Sequence, residues 1–298
     1  MQVLYMLQTS EGSEKMKAPE KILQEEVGRT TDLFVYLLYC IIETARYAET
    51  DARLRAGKNL LTQDDLNVNI KIAGNEIAWK IIENPSYKKA LESLRFKGDD
   101  TKEQVKRLYY ELVSSDQYKE YISVKGRDFN SEKEILLFIF NTLMLPGEIF
   151  TAYAEECFSN WDDDIEMIQL LMQHYLQKPG TYNLQQLAGT EKWKFAKDLL
   201  ATVIDKKDYA QNLIKPKLKN WDADRIALLD MILMQMGVCE FLYFETIPTK
   251  VTINEYIDLA KDYSTPQSGQ FVNGILDNIH KELSAQNKIH KTDFRQKA

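Results

Sequence analysis

The chain has 298 residues, 44% of them hydrophobic and 28% charged, with a formal net charge of −7. That is an ordinary globular composition, long enough to bury a substantial core and to hold one or two domains. Only 12 Gly and 7 Pro are present, which favours helices over a loop-rich β architecture.

The first predicted helix spans Thr31–Ala52, with Phe34, Leu38, Ile41 and Ala45 on one face. It contains the longest apolar run, Leu33–Ile42, too short for a membrane span, which needs about 18 residues. No basic n-region precedes an apolar stretch, so a cytoplasmic location is the default expectation. Further helices are expected over Ile70–Glu83, Lys102–Tyr121, Glu132–Asn141, Glu148–Cys157 and Asp162–Leu176. Asn84-Pro85, Leu145-Pro146-Gly147 and Lys178-Pro179-Gly180 interrupt them, and the last is the best candidate for a domain boundary. Beyond it, helices are predicted over Lys192–Ile204, Tyr209–Leu218 and Ala223–Phe244, the last with Ile226, Leu229, Leu233, Met236 and Phe241 as its core stripe. Met231, Met234 and Met236 read as gap-filling core residues.

The segment Ile253–Ile279 reads as two amphipathic helices around a turn. Ile253, Ile257 and Ala260 share one face of the first, and Thr252 with Glu255 fits a capping box. Thr265-Pro266 breaks the pattern. Phe271, Ile275 and Ile279 form the next stripe, with Ser268 as the expected N-cap and free amides near Gly269 and Gln270 that favour an anion. Gly274, one turn into this helix, costs about 1 kcal/mol relative to Ala, so core packing alone does not account for it.

Nothing points to catalysis. Cys40, Cys157 and Cys239 are widely spaced in apolar helical patterns and read as reduced core thiols. Asp162-Asp163-Asp164 point in different directions on a helix and suit its N-terminal dipole, and Glu155-Glu156 reads as a solvated face. His174, His280 and His290 have no partners at ligand spacing. There is no P-loop, dinucleotide glycine motif or nucleophile elbow. No catalytic residue, metal site or cofactor is expected, and the chain does not read as an enzyme.

The ordered set Val251, Ile253, Asn254, Glu255, Ala260, Lys261, Phe271, Val272, Asn273, Gly274, Ile275, Leu276 and Asp277 strongly resembles the C-terminal signature of the NusB transcription antitermination family. Upstream, Pro248 and Lys250 resemble the family's I-P-x-K-V. Asp230–Phe241 resembles its I-L-R-L-A-I-Y-E-L helix, with Gln235 in place of Arg, and Lys194–Leu200 resembles its F-x-x-x-L-L helix. The continuous resemblance covers about Glu191 to Leu283, and Met1–Tyr5 resembles the V-Q-A-L-Y of the family's first helix. The fold it implies is all-α, a helical bundle of the NusB type with a long helical N-terminal extension or insertion like that of Bacteroidetes-type members. The expected domains are residues 1–8 as the start of the first NusB helix, 9–189 as a helical insertion, 190–285 as the RNA-binding helical domain and 286–298 as a polar tail. Members carry an Arg-rich arm before the first helix. None precedes Tyr5, and a start placed too late is the favoured expectation, because a helix beginning inside its own apolar stripe lacks its cap.

The resemblance implies binding of boxA-type single-stranded RNA together with NusE, a small-subunit ribosomal protein, within the RNA polymerase antitermination complex, in support of ribosomal RNA transcription. The RNA-binding candidates are Gln2, Tyr5, Lys250, Lys261, Tyr263, Gln267, Ser268, Gly269, Gln270 and Asn273, with Tyr5 and Tyr263 as stacking rings and Lys261 on phosphate. Asp230 and Glu240 are the candidates for a protein-partner surface, and Asn273-Gly274 could instead serve close helix packing. From Thr190 onward 16 basic residues face 15 acidic ones, whereas the first 189 residues carry 22 against 30, so the signature lies in the more basic part. Two other readings stand beside this one. A methyltransferase-associated RNA module would need a separate nucleotide-fold catalytic domain, with strands and a glycine-rich loop, and no such pattern is read here. A helical protein-interaction scaffold with weak or lost RNA binding draws support from Gln267, Gln270 and the missing arm, where some relatives have charged residues at the two Gln positions.

Overall fold

The structure, a computed structural model, describes residues 1–9, 18–60, 62–94, 99–180, 182–184, 187, 189–218, 226–265 and 267–292, apart from the side chains of residues 64, 66 and 99. Among these residues every regular element is a helix and none is a strand. The chain divides into two compact units, Met1–Glu25 with Ala188–Ala298, and Glu26–Leu187. Each has its own hydrophobic core. The division places residues 18–25, assigned above to the insertion, with the unit that holds the signature.

Helix α1 (Gln2–Thr9) buries Val3 and Leu4. Helix α2 (Pro19–Ala56) is far longer than the predicted Thr31–Ala52, and the division at Glu25 falls inside it. Its Ile22 and Leu23 join the core of the first unit. From Leu33 to Leu38 every residue is buried, so the predicted single stripe is too narrow. A helix apolar all round is a core helix, enclosed by its neighbours.

Those neighbours make up the rest of the Glu26–Leu187 unit. A single turn, α3 (Gln63–Leu66), and a 3₁₀ turn at Lys71–Gly74 lead into α4 (Glu76–Glu83). The predicted helix from Ile70 therefore begins only at Glu76, because the Asn75 side chain accepts from Ile77 N and Ala78 N at 3.0 Å each and caps it there. Asn84 caps α5 (Pro85–Ser93), with Pro85 in the first turn. The Asn84-Pro85 break is thus also a helix start that the apolar pattern does not reveal. The predicted helix Lys102–Tyr121 is two, α6 (Asp99–Ser114) and α7 (Asp116–Ser123). Ser115 lies between them in extended conformation and accepts at Oγ from Tyr118 N at 3.2 Å. Helix α8 (Phe129–Phe138) passes into a π-helical turn, Ile139–Met144. Helix α9 (Glu148–Cys157) has the predicted bounds, and α10 (Trp161–Gln177) differs from its prediction by one residue at each end. Cys157, expected in a core, is exposed at the end of α9, while Cys40 and Cys239 are buried.

The first unit is completed by α11 (Thr190–Asp205), α12 (Lys207–Ile214), α13 (Leu228–Tyr243), α14 (Thr249–Tyr263) and α15 (Ser268–Ala285). The predicted start of α13 at Ala223 lies outside the described residues. Eleven of its residues are buried, and α14, α15, α11 and α12 all pack against it. At Gly237 a Cβ would stand 2.9 Å and 3.0 Å from the two terminal carbons of Leu276, so only a glycine lets α15 come this close. The stretch after α15, expected as a polar tail, folds back as far as it is described. Ile289 packs on the core, and Lys291 Nζ donates to the carbonyls of Glu240 at 2.8 Å and Phe244 at 2.7 Å, closing the C-terminus of α13. Among the described residues no single helix is long and apolar enough to cross a membrane.

Candidate nucleic-acid interface

The segment that reads as a capping box is arranged differently. Helix α14 starts at Thr249 after Pro248, three residues before Thr252. Thr252 is fully buried, and its hydroxyl donates to Glu240 Oε1 at 2.6 Å. Tyr256, one turn on, donates to Glu240 Oε2 at 2.9 Å. Burial, and then the Glu240 carboxylate, hold the Tyr256 phenol protonated far above its usual range. The inward face of α14 is therefore Thr252, Tyr256 and Ala260, rotated from the predicted Ile253, Ile257 and Ala260. The pattern missed it because Thr and Tyr read as surface residues until an acceptor is placed opposite them.

Glu240 itself is a correction. Expected at a protein-partner surface, it is 5% exposed and both its oxygens are engaged by α14. Asp230 is likewise 5% exposed and accepts at Oδ2 from Ser268 Oγ at 2.8 Å. These two carboxylates tie α13 to α14 and α15. A buried carboxylate needs such donors, since losing water without replacement is costly.

Ser268 is a second correction. The residue flanking α15 is Gln267, and Ser268 occupies the first helical position. The Ser268 hydroxyl turns back instead of capping forward: it accepts from Thr265 N at 3.2 Å and lies 2.8 Å from Thr265 Oγ1 and 3.0 Å from Ser264 Oγ. It is buried, so its part is to pin the start of α15, with Ser264 and Thr265, onto α13. Gly269, also buried, lets the chain cross: a Cβ there would lie 3.0 Å from Lys261 Cγ and 3.6 Å from the Ile257 carbonyl oxygen. The stem of Lys261 thus lies over the first turn of α15.

Around this pinned turn the structure gathers exposed Lys261, Tyr263, Gln267, Gln270 and Asn273 on one continuous stretch of chain. Lys261 Nζ pairs with Asp258 Oδ1 at 2.8 Å, and both side chains are well exposed. Such a pair is held weakly, and phosphate can replace the carboxylate. No side chain caps the first amides of α15. Gly274 is exposed with open space beside its Cα, so the Asn273-Gly274 pair does not serve close helix packing. Lys250 is exposed in the first turn of α14, at the other end of that helix from Lys261. Gln2 and Tyr5 are exposed on α1, whose buried Val3 and Leu4 share the core with α13. Among the described residues no group of three or more His, Cys, Asp or Glu could hold a metal ion.

Comparison with known proteins agrees on the kind of chain this is. The NusB family model matches residues 154–281. Transcription antitermination protein NusB of Finegoldia magna is 44% identical over 110 residues, which cover 34% of this chain and 80% of that protein. Its namesake in Salinibacter ruber is 41% identical over 98 residues, 33% of this chain and 61% of that protein. The Bacillus mycoides protein of the same name is 38% identical over 95 residues, 32% of this chain and 73% of that protein. With most of the Finegoldia and Bacillus proteins matched at these identities, the chain belongs to the NusB family.

Proposed function

We propose that this chain is a transcription antitermination factor that binds boxA-type single-stranded RNA with the ribosomal protein NusE, in the cytoplasm, as part of the RNA polymerase antitermination complex acting on ribosomal RNA transcription. The observation that carries the reading is the turn between α14 and α15. A buried Ser268–Asp230 hydrogen bond holds it, and Lys261, Tyr263, Gln267, Gln270 and Asn273 are exposed around it. Single-stranded RNA is read by stacking on aromatic rings and by hydrogen bonds to exposed base edges. Tyr263 offers a ring, Gln267, Gln270 and Asn273 offer paired donors and acceptors, and Lys261 with the uncapped α15 amides suits phosphate. Tyr5, Gln2 and Lys250 are further contacts in this reading. Ser268 and Gly269, both buried, shape the turn that presents these groups, and the Ser268 amide is taken by the Thr265 carbonyl at 2.9 Å.

The test is binding of the full chain, with purified NusE, to a boxA RNA oligonucleotide and to a scrambled oligonucleotide of equal length. A clear preference for boxA, reduced about tenfold by Lys261→Ala together with Asn273→Ala, is the expected result, equivalent to about 1.4 kcal/mol. Equal affinity for both RNAs would sink the reading and favour the interaction scaffold.

A further inference from the structure

A glycine inside a helix weakens it relative to alanine, so its presence needs a reason. Gly237 and Gly269 each have one, a close approach to Leu276 and to Lys261. Gly274 of α15 has none within the chain: a Cβ there would meet no atom within 4 Å. It lies on the outward face of α15, because Phe271, Val272, Ile275, Leu276 and Ile279 turn inward. Gln270, Gly274, Asp277 and Lys281 follow one another along that outward face at i, i+4, i+7 and i+11, flanked by Asn273 and Asn278. The missing side chain is therefore a notch that bares the helix backbone in the middle of a polar strip.

The strip shares Gln270 and Asn273 with the turn that carries Lys261, and it rises about 16 Å from Gln270 to Lys281 at 1.5 Å per residue. A protein helix seated at such a glycine would need apolar side chains beside it, and this face offers Gln270, Asn273, Asp277 and Asn278 instead. Side-chain amides carry a donor and an acceptor each and so match base edges. Asp277 repels phosphate from the middle of the strip, and Lys281, one turn on with its side chain 73% exposed, attracts it at the end. Lys281 Nζ lies 2.6 Å from Asp277 Oδ2, an exposed pair from which a phosphate can take the lysine. We propose, resting on the RNA reading above, that Gly274 seats one nucleotide of the bound RNA, its base or ribose lying against the bare backbone. Asn278 bonds that base edge, and Lys281 holds the neighbouring phosphate. The uncharged part of the nucleotide thus meets the notch, and its charged part meets the lysine.

The test measures binding of the full chain, with purified NusE, to a boxA RNA oligonucleotide. Gly274→Leu fills the notch without touching the core, and the expected result is binding about tenfold weaker, the loss of one seated base, with Tm unchanged or raised. Lys281→Ala weakens binding about threefold and lowers the slope of log affinity against log salt by about 0.7, one phosphate contact. Trimming the RNA from one of its ends removes the Lys281→Ala penalty and leaves that of Lys261→Ala, since the two lysines hold different phosphates. Parental affinity in either variant overturns the proposal. So does a Lys281→Ala penalty that is independent of RNA length, the mark of a general charge effect. A Gly274→Leu chain that loses NusE binding in the absence of RNA gives the notch to a protein and overturns the proposal as well. The RNA reading itself fails on a different measurement, equal binding of boxA and scrambled RNA by the parent chain, and takes this proposal with it. A retained boxA preference with indifferent variants removes this proposal alone.

Discussion

Ser268, in the first turn of α15, donates its hydroxyl hydrogen to Asp230 Oδ2 of α13 at 2.8 Å, and both side chains are buried. This one bond sets where the turn between α14 and α15 sits. Asp230 Oδ1, also buried, makes no hydrogen bond, so Ser268 is the side chain on which the carboxylate depends. Ser268→Ala leaves a buried carboxylate without that donor and lowers unfolding free energy by about 2–3 kcal/mol, measured by urea denaturation. In the RNA reading it also weakens boxA binding although its own hydroxyl is buried. A variant of unchanged stability would contradict the anchoring role.

Glu240 behaves as a hub for α14. Tyr256→Phe and Thr252→Val each remove one donor to it, and each costs about 1–3 kcal/mol. Because the two share one carboxylate, the double variant departs from the sum of the singles by more than 0.5 kcal/mol, whereas separated sites add. A double-mutant cycle in denaturant reads this directly.

Two glycines of the first unit respond to alanine in opposite directions. Gly237→Ala drives a Cβ against Leu276, itself buried and unable to swing aside, and costs about 1–3 kcal/mol. Gly274→Ala meets open space inside a helix and stabilises by about 0.5–1 kcal/mol. Thermal unfolding of the pair checks both signs. If Gly274→Ala stabilises the chain yet weakens RNA binding, close backbone approach by the RNA is the reason for the glycine.

Gly269→Ala tests the crossing with Lys261 separately. The contact is with the aliphatic stem of an exposed side chain, which can shift by a few tenths of an ångström. The expected outcome is a small change in Tm accompanied by a measurable loss of boxA affinity. The slope of log affinity against log salt falls by about 0.7 if one phosphate contact is lost.

Acid provides a fifth check, in the other unit. Hydrogen bonds from Lys58, then from Thr62 N and Thr62 Oγ1, pull Asp65 from an ordinary 3.8 down to about 2. A carboxyl lowered on folding contributes stability that is present above its unfolded value and lost as pH falls through its folded value. Asp65→Asn is therefore less stable than the parent above pH 4, and the difference closes as pH falls toward about 2. Parallel denaturation curves over that range read it, and a gap that persists undiminished at the acid end contradicts the assignment.

The bounds of α9 and α10 were close to legible because their apolar residues recur at helical spacing between strong breaks. The split at Ser115 and the start of α5 depended on capping side chains, whose signal is one residue long and carries no period. Helix α13 hid its polar residues for a different reason. It is buried nearly all round, so no periodicity separates inside from outside, and Asp230 and Glu240 look like surface acids until their donors arrive from α14 and α15.

The amino-acid sequence by itself determined that the chain is helical, that its C-terminal part belongs with the NusB family, and that Lys261 to Asn273 is a turn rich in polar groups. Those follow from spacing, composition and an ordered set of residue types, all local along the chain. Only the tertiary structure decided which of those polar groups face outward. Ser268 turns inward because Asp230 waits on another helix, Thr252 and Tyr256 turn inward because Glu240 does, and Lys261 lies over α15 because residue 269 has no side chain. Each outcome depends on a hydrogen bond or a close approach between different helices, which the pattern within any one helix does not encode.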